Sequence, residues 1–455
     1  MGQKKTVFLF IPNYVYSSDF LHTTYIQHLS SLCNVIIFAP PDLLNGGNYW
    51  QGPNLTYIEW NLQHPRFWIV FGKLLRYSLI RRFDTEPVVI RNRRKGMRDW
   101  KRKVLRTISY LLPPFLLQPD VFTAIETFLL PRSKKFGEYV SKYKPSLILT
   151  PTPGFTHFDA EAIVTAKKFD VPTVAVNFSW DNLYNGGIHF RRTDYLIVWN
   201  ELIKDTAVKE YKYPPDSVFV SGIIRFDRYF ISDPKELSRE EFLMQKGLNP
   251  QEKTILLTTV TKGNYQDEHL LLGELIKYRA NGAFQGFPNI LVRMHPKEEF
   301  QKFEAYKKTA IKNLRVEKAG NERLAEIGST TELDEEDLRN LKHTLTYSDV
   351  AINYLSTISL EAIIFDKPVI NINYPEQYHE GYTFRHYKPL VDLGAVRLAY
   401  SPDELVKWVN KFISDPSLDD ANRHRVKNLF IKYTDGMSHK RNAAFILLLL
   451  EENSQ

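Results

Sequence analysis

Three stretches of this chain group side chains that could handle a phosphate or move a proton. The first is Arg293-Met-His-Pro-Lys-Glu298, just past an apolar run that reads as a β-strand. Arg293, His295 and Lys297 are strong donors to phosphate or pyrophosphate oxygens. Pro296 biases His295 toward extended backbone. The alternative, a solvated loop with a chance His-Pro pair, stays open on pattern alone.

The second stretch, Ser348-Asp-Val-Ala-Ile-Asn-Tyr-Leu-Ser-Thr-Ile-Ser-Leu-Glu-Ala362, reads as strand, hydroxyl-bearing loop and helix. Free N–H groups at a helix start favour an anion, and Ser356 and Thr357 add donors there. Glu361 falls in the first turn, where a negative charge suits the helix dipole, and it could accept hydrogen bonds from a ribose. Ser359 reads better as a residue serving only the helix start.

The third stretch, Phe178-Ser-Trp-Asp-Asn-Leu-Tyr-Asn-Gly-Gly187, again follows a strand. Asp181 beside the Trp180 indole is the chosen general base or acceptor-orienting group, because apolar surroundings raise a carboxyl pKa. His157 is the reserve. Gly186 and Gly187 permit tight turns. A polar turn with a packed Trp180 is the competing reading. Two further clusters read as structural. Arg225 and Asp227 of Ser221-Gly-Ile-Ile-Arg-Phe-Asp-Arg228 are expected to pair with each other, and Asp435-Gly-Met-Ser-His-Lys-Arg441 leads into an apolar closing helix, Ala443–Leu450.

The elements that must position these residues alternate between strand-like and helix-like, which predicts an α/β protein. Strands are predicted at Val7–Ile11, Asn34–Phe38, 145–150, Pro172–Val176, Tyr195–Trp199 and Val218–Val220. A second series follows at Thr254–Thr259, Asn289–Met294, Asp349–Asn353 and Pro368–Ile372. Helices are predicted at Phe20–Leu32, Phe158–Phe169, Asp267–Ala280, Asp334–Tyr347, Ser359–Phe365, Asp403–Ile413 and Arg423–Tyr433. The charged segment Ile231–Lys253, with Pro234 and Pro250, is the expected linker. The domains expected are 1–235 for the acceptor, 250–430 for the donor, and a closing segment 431–455.

With 455 residues, 43% hydrophobic and 25% charged, the chain has material for two cores. Its 25 Tyr and 29 Phe are expected mainly to fill those cores. One cysteine, Cys33, excludes an internal disulfide and reads as a buried small apolar residue after a helix. The formal charge of +8 is unevenly spread. Between Lys73 and Arg106 stand 13 Lys/Arg against Asp84, Glu86 and Asp99. With the apolar residues that follow to Leu117, this segment is expected to dock on an anionic membrane surface. No nucleic-acid motif accompanies it. A zinc-ligand spacing, an Asp-x-Asp pair, a nucleophile elbow, a P-loop and a GxGxxG fingerprint are all lacking. No cofactor and no metal are expected. Nothing approaches a membrane span or a signal peptide, so the expected place is the cytoplasm, on the inner face of the cell membrane.

His295-Pro296, Ser348-Asp349 with Ser356-Thr357 and Glu361-Ala362, and Lys367-Pro368-Val369 together resemble the donor half of GT-B transferases. The resemblance is to the CDP-glycerol glycerophosphotransferase-like and surface-polysaccharide glycosyltransferase group. Capsule Kdo- and sialyltransferases show a similar His-Pro and Ser/Thr pair. It covers about residues 250–445, and the Ser179-Trp-Asp-Asn182 block resembles uncharacterised bacterial and archaeal relatives. It implies two Rossmann-like domains with parallel sheets facing across a cleft. His295 and Ser356-Thr357 would bind donor phosphates without a metal, and the acceptor and base would lie on the N-terminal domain. The polyol-phosphate polymerases' full histidine set is missing, with only His157 and His189 as stand-ins, so transfer of a sugar to a surface glycan or lipid-linked acceptor ranks above transfer of a polyol phosphate. A UDP-sugar 2-epimerase-like isomerase ranks below both, and a non-catalytic adaptor using the basic segment is the remaining alternative.

Overall fold

The computed structural model describes residues 4–46, 49–60, 74, 81, 90, 100–113, 115, 118–184, 191–260, 268–296, 298, 300–308, 311–320, 333–374 and 376–452. Lys297, Gly186, Gly187, His189 and most of the basic segment lie outside the described residues. The chain divides into two compact units, residues 1–230 with 432–455, and residues 231–431.

Unit 1 is built on a seven-stranded sheet. Its strands are β1 (Thr6–Phe10), β2 (Asn34–Ala39), β3 (Leu55–Glu59), β4 (Pro145–Thr150), β5 (Thr173–Val176), β6 (Tyr195–Val198) and β7 (Val218–Val220). They lie in the order β3-β2-β1-β4-β5-β6-β7, every pair parallel. A parallel sheet is covered on both faces, so its central strands are continuous apolar runs. Alternation along β1 sorts the aromatic load by face. Val7 and Leu9 join one core cluster with Tyr25, Ile37 and Ile446. Phe8 and Phe10 join the other with Phe38, Trp60, Phe136 and Phe158. Phe10 stacks on Phe38 with ring centroids 4.7 Å apart. Cys33 is buried at the end of the helix Tyr25–Leu32, and burial pushes its thiol up to about 12.

Unit 2 repeats the plan with six strands, β8 (Thr254–Thr258), β9 (Asn289–Met294), β10 (Leu314–Lys318), β11 (Val350–Asn353), β12 (Val369–Ile372) and β13 (Val396–Ala399). The order is β10-β9-β8-β11-β12-β13, all parallel. Each sheet therefore reverses its direction of winding once, between β1 and β4 in unit 1 and between β8 and β11 in unit 2. Ligands of open α/β sheets sit at the carboxyl ends of strands flanking such a reversal.

Three expectations need correction. The expected linker belongs to unit 2: Ser238 and Glu241 form a capping box on the helix Arg239–Gln245, whose Phe242 and Leu243 are buried. Arg239 ties that helix to the Tyr347 carbonyl and to Asp349. The single helix expected over Phe20–Leu32 is two, Tyr14–Phe20 and Tyr25–Leu32. The closing helix is longer, Ser438–Glu452, and it is part of unit 1, with Ala443, Phe445, Ile446, Leu449 and Leu450 in the Val7/Leu9 core.

Candidate active site

In unit 1 the carboxyl ends of β1, β4 and β5 carry a set of acids. After β1, Asn13 accepts the Val15 N–H and starts the helix Tyr14–Phe20, which holds Tyr16 and Asp19 in buried positions. After β4, the buried loop Pro151–Gly154 turns at Gly154, with φ 83°. There the Thr152 hydroxyl donates to Asp159 Oδ2 at 2.5 Å and accepts the Phe155 N–H at 2.7 Å. Thr156 caps the helix His157–Lys168 by accepting the Asp159 N–H, which sets Asp159 in the first turn. After β5, the Ser179 hydroxyl donates to Asp181 Oδ1 at 2.5 Å, and Asn182 Oδ1 accepts the Ser179 N–H at 2.5 Å.

The acids converge around Tyr16. Burial raises its phenol far above the usual range, with Asp159, Asp181 and Asp19 adding to the shift in that order. Burial pushes Asp159 up to about 7, against hydrogen bonds from Thr152 and Thr156. Burial pushes Glu161, on the same helix, to about 7 as well. Asp19 is also raised by burial, opposed by Arg225 and Arg228. Arg225 lies 3.6 Å from Asp19, donates to the Phe178 carbonyl at 3.0 Å, and sits over the Phe178 and Trp199 rings.

Asp181 therefore stands with Tyr16 and Asp159, while Trp180 packs at 4% exposure, so the packed-indole reading and the acid's place in the cluster hold together. Asp159 escaped the sequence reading. Its signal was the Thr156-His-Phe-Asp159 spacing: a carboxylate at the third helical position after a threonine cap, on a helix otherwise rich in alanine and buried. His157 is exposed at the start of that helix. Arg225 and Asp227 do not pair. They fall on successive short helical turns and point apart: Asp227 instead accepts the N–H groups of Ser438 and His439 and pairs with the His439 ring at 2.8 Å, fixing the start of the closing helix.

In unit 2, β9, β8 and β11 are adjacent and parallel, so the residues that follow them share one edge. His295 follows β9; its N–H donates to the Thr259 hydroxyl just past β8, and its carbonyl accepts the Glu298 N–H at 2.9 Å. The Ser356-Thr357 loop follows β11. Two strand spacings, roughly 10 Å, separate β9 from β11. The Thr258 hydroxyl and Asn353 Nδ2 at this edge are buried without a hydrogen-bond partner in the described structure. A buried polar atom left so can be satisfied by water or by a group that arrives with a ligand.

Not every expected donor is at liberty there. Arg293 is buried and held at 2.6 Å by Asp337 and 3.5 Å by Glu317. Burial works against the charge on Glu317, but Lys246 and Arg293 hold its carboxyl below the usual range. Ser356 Oγ accepts the Ile358 N–H, while Thr357 makes no side-chain cap bond to the helix Ile358–Ile364. Glu361 is buried in the first turn. Ser359 is structural, bonded to Asn353 and to Tyr387, which also accepts from Asn371.

The family model of CDP-glycerol:poly(glycerophosphate) glycerophosphotransferases matches residues 187–448, which is more than half of the chain. The chain belongs to this glycerophosphotransferase family. No curated protein matches the chain. Among solved structures it is similar to a glycosyltransferase from Rickettsia africae ESF-5, with TM-score 0.53 and 13% identity, covering 98% or more of both chains (99% of this one and 100% of that one). It is similar to the UDP-GlcNAc 2-epimerase from Neisseria meningitidis, with TM-score 0.53, 13% identity, and 98% and 100% of the two chains covered. The wall teichoic acid polymerase TagF gives TM-score 0.51 and 10% identity, over 99% and 90%. At such identities the likeness shows the fold, which is GT-B. The family adds the reaction class: the protein is a transferase, as the donor-half motifs imply.

Proposed function

We propose that this family member moves a sugar from a nucleotide-activated donor onto a growing surface glycan or lipid-linked acceptor, without a metal. The observation that carries the donor half of the reading is the shared edge of unit 2. The His295 turn, Thr258 and Thr259, and the Ser356-Thr357 loop lie at or just past the ends of three adjacent parallel strands, β9, β8 and β11. Groups so placed stabilise charge as it develops on a leaving phosphate. Lys297 comes two residues after His295 in the sequence, Glu361 suits a ribose hydroxyl, and Arg293 acts by holding the end of β9. In unit 1, the half-buried Asp181 is the group able to orient or deprotonate an acceptor hydroxyl, with Tyr16 and Asp159 behind it and His157 in reserve. The acid-rich surroundings suit a neutral hydroxyl acceptor better than a polyanionic one.

The second reading is transfer of glycerol or ribitol phosphate from a CDP donor, favoured by the family match itself. Thermal unfolding with CMP, CDP, UDP and GDP separates the two, because a ligand of the folded state raises Tm with its concentration. One nucleoside diphosphate should stabilise the protein, and His295→Ala should weaken that stabilisation and turnover together. CDP alone acting would select the polyol-phosphate reading. No effect from any of the four, or full turnover by His295→Ala at saturating donor, would remove the donor site. Turnover should survive EDTA.

The protein is further proposed to work on the inner, cytoplasmic face of the cell membrane. Among the described residues no helix is long and apolar enough to cross a membrane. The helix Trp100–Leu111 exposes Trp100, Val104, Ile108 and Leu111, spaced to fall on one face, with Lys103 and Arg106 beside them. That pattern suits an anionic bilayer surface.

A further inference from the structure

Away from the acid cluster, unit 1 has a cavity of about 520 Å³ whose lining is basic. It is formed by the helix Pro119–Leu129, Arg132, the last turn of the helix His157–Lys168, and Arg192. That last helix runs twelve residues from the carboxyl edge of the sheet, where Asp159 lies, to the opposite edge. Lys168 lies nine residues beyond Asp159, so at about 1.5 Å per residue the cavity is roughly 13 Å from that acid. It is a second site, not an arm of the first.

Four cations line it, Arg132, Lys167, Lys168 and Arg192, against one carboxylate, Asp120. Two of the four are already engaged. Arg192 pairs with Asp120 at 3.2 Å, donates to the Tyr211 and Lys212 carbonyls, and lies over the Tyr213 ring. Lys167 pairs with Asp194 at 3.2 Å. Arg132, whose guanidinium lies 5.8 Å from the Phe169 ring centroid, and Lys168 have no carboxylate within ion-pair distance among the described residues. Burial and the Arg132 guanidinium both hold the Lys168 ammonium below its usual range, so the two cations feel each other. A helix C-terminus would account for Lys168, since cations suit that end of the dipole. It does not account for Arg132, which comes from another segment and repels Lys168. Two uncompensated positive charges match the −1.5 to −2 of a phosphate monoester. On the rim, Phe128 is 85% exposed, an apolar contact for the organic part of the ligand.

We propose that this cavity is a binding site for a phosphate headgroup, with Arg132 and Lys168 clamping the phosphate and Phe128 contacting its glyceryl or acyl portion. The lipid source of that headgroup rests on the membrane attachment proposed above; the site itself does not.

The test uses the full chain in two arms. In the first, partition onto phosphatidic acid/phosphatidylcholine vesicles is compared for the parent, Arg132→Gln/Lys168→Gln, and the charge-matched Lys134→Gln/Lys142→Gln on exposed positions of the helix Lys134–Tyr143. In the second, binding of soluble glycerol 3-phosphate is followed by ³¹P NMR. Two charges at about 1 kcal/mol each predict about a thirtyfold weaker partition for the cavity variant. The control variant should stay near the parent, and glycerol 3-phosphate binding should vanish only in the cavity variant. Loss of soluble-phosphate binding without any vesicle binding by the parent would keep the site, make its ligand a soluble phosphate ester, and sink the membrane reading alone. Equal losses in the two variants, or parental behaviour of the cavity variant in both arms, would overturn the site.

Discussion

Asp159 and Asp181 sit on neighbouring loops of one sheet edge, yet their surroundings differ. Asp159 is fully buried, with the Thr152 hydroxyl on one oxygen and no partner for the other. Asp181 is half-buried beside Ser179. Only the second is placed to meet an acceptor without local opening. Asp181→Asn should therefore depress the chemical step and leave nucleotide stabilisation intact; unchanged turnover would remove it from the reaction. Asp159→Asn should act through stability. Its carboxyl titrates near 3.8 when unfolded and about 7 when folded. Well below pH 3.8 both states hold the proton, so nothing is lost. As pH rises toward 7 the unfolded chain releases the proton first, and the folded state loses ground by up to on the order of 4 kcal/mol. The asparagine variant should thus gain Tm over the parent at pH 8, and the gain should fade toward pH 4. A gain independent of pH would contradict the buried-acid account.

At the scale of elements, β9 shows a residue of the right type doing a different job. Arg293 ends the strand that delivers His295, but its guanidinium is paired with Asp337 through Nη2 and faces Glu317 at 3.5 Å through an Nη1 that makes no hydrogen bond. Removing one partner of a buried charge cluster costs about 3–5 kcal/mol because the others are left uncompensated. Arg293→Ala should destabilise unit 2 by that order in urea unfolding. A variant of parental stability that lost nucleotide binding would instead place Arg293 on the donor. The strands were legible in the sequence where both faces are covered, as in β1, β4, β8 and β9, because the apolar run is then continuous. Three edge strands, β3, β10 and β13, went unread. Each has a neighbour on one side only and is incompletely buried, so its sequence carries neither a solid apolar run nor a strict alternation.

For the whole molecule, the chain leaves unit 1 at Phe230 and returns to it at Lys432. Unit 1 is therefore completed only by a segment that follows unit 2 along the chain. Phe445 stacks on Phe219 at 4.5 Å and meets Tyr195 edge-on. Truncating such a side chain costs about 3–5 kcal/mol. Phe445→Ala should lower the unfolding transition of unit 1 in calorimetry and leave that of unit 2 in place; a uniform shift of both would mean the units do not unfold separately.

By itself the sequence determined the α/β class, the central strands and the loops that follow them, since these depend on local apolar patterning and on Pro, Gly and hydroxyl residues at fixed offsets. It also determined the donor-half motifs that mark the family. Only the tertiary structure decided which charges are already matched. Arg293 against Asp337, Asp227 against His439, and Arg132 left facing Lys168 join residues from different elements, and the energy of a charge depends on neighbours in space that no spacing along the chain records.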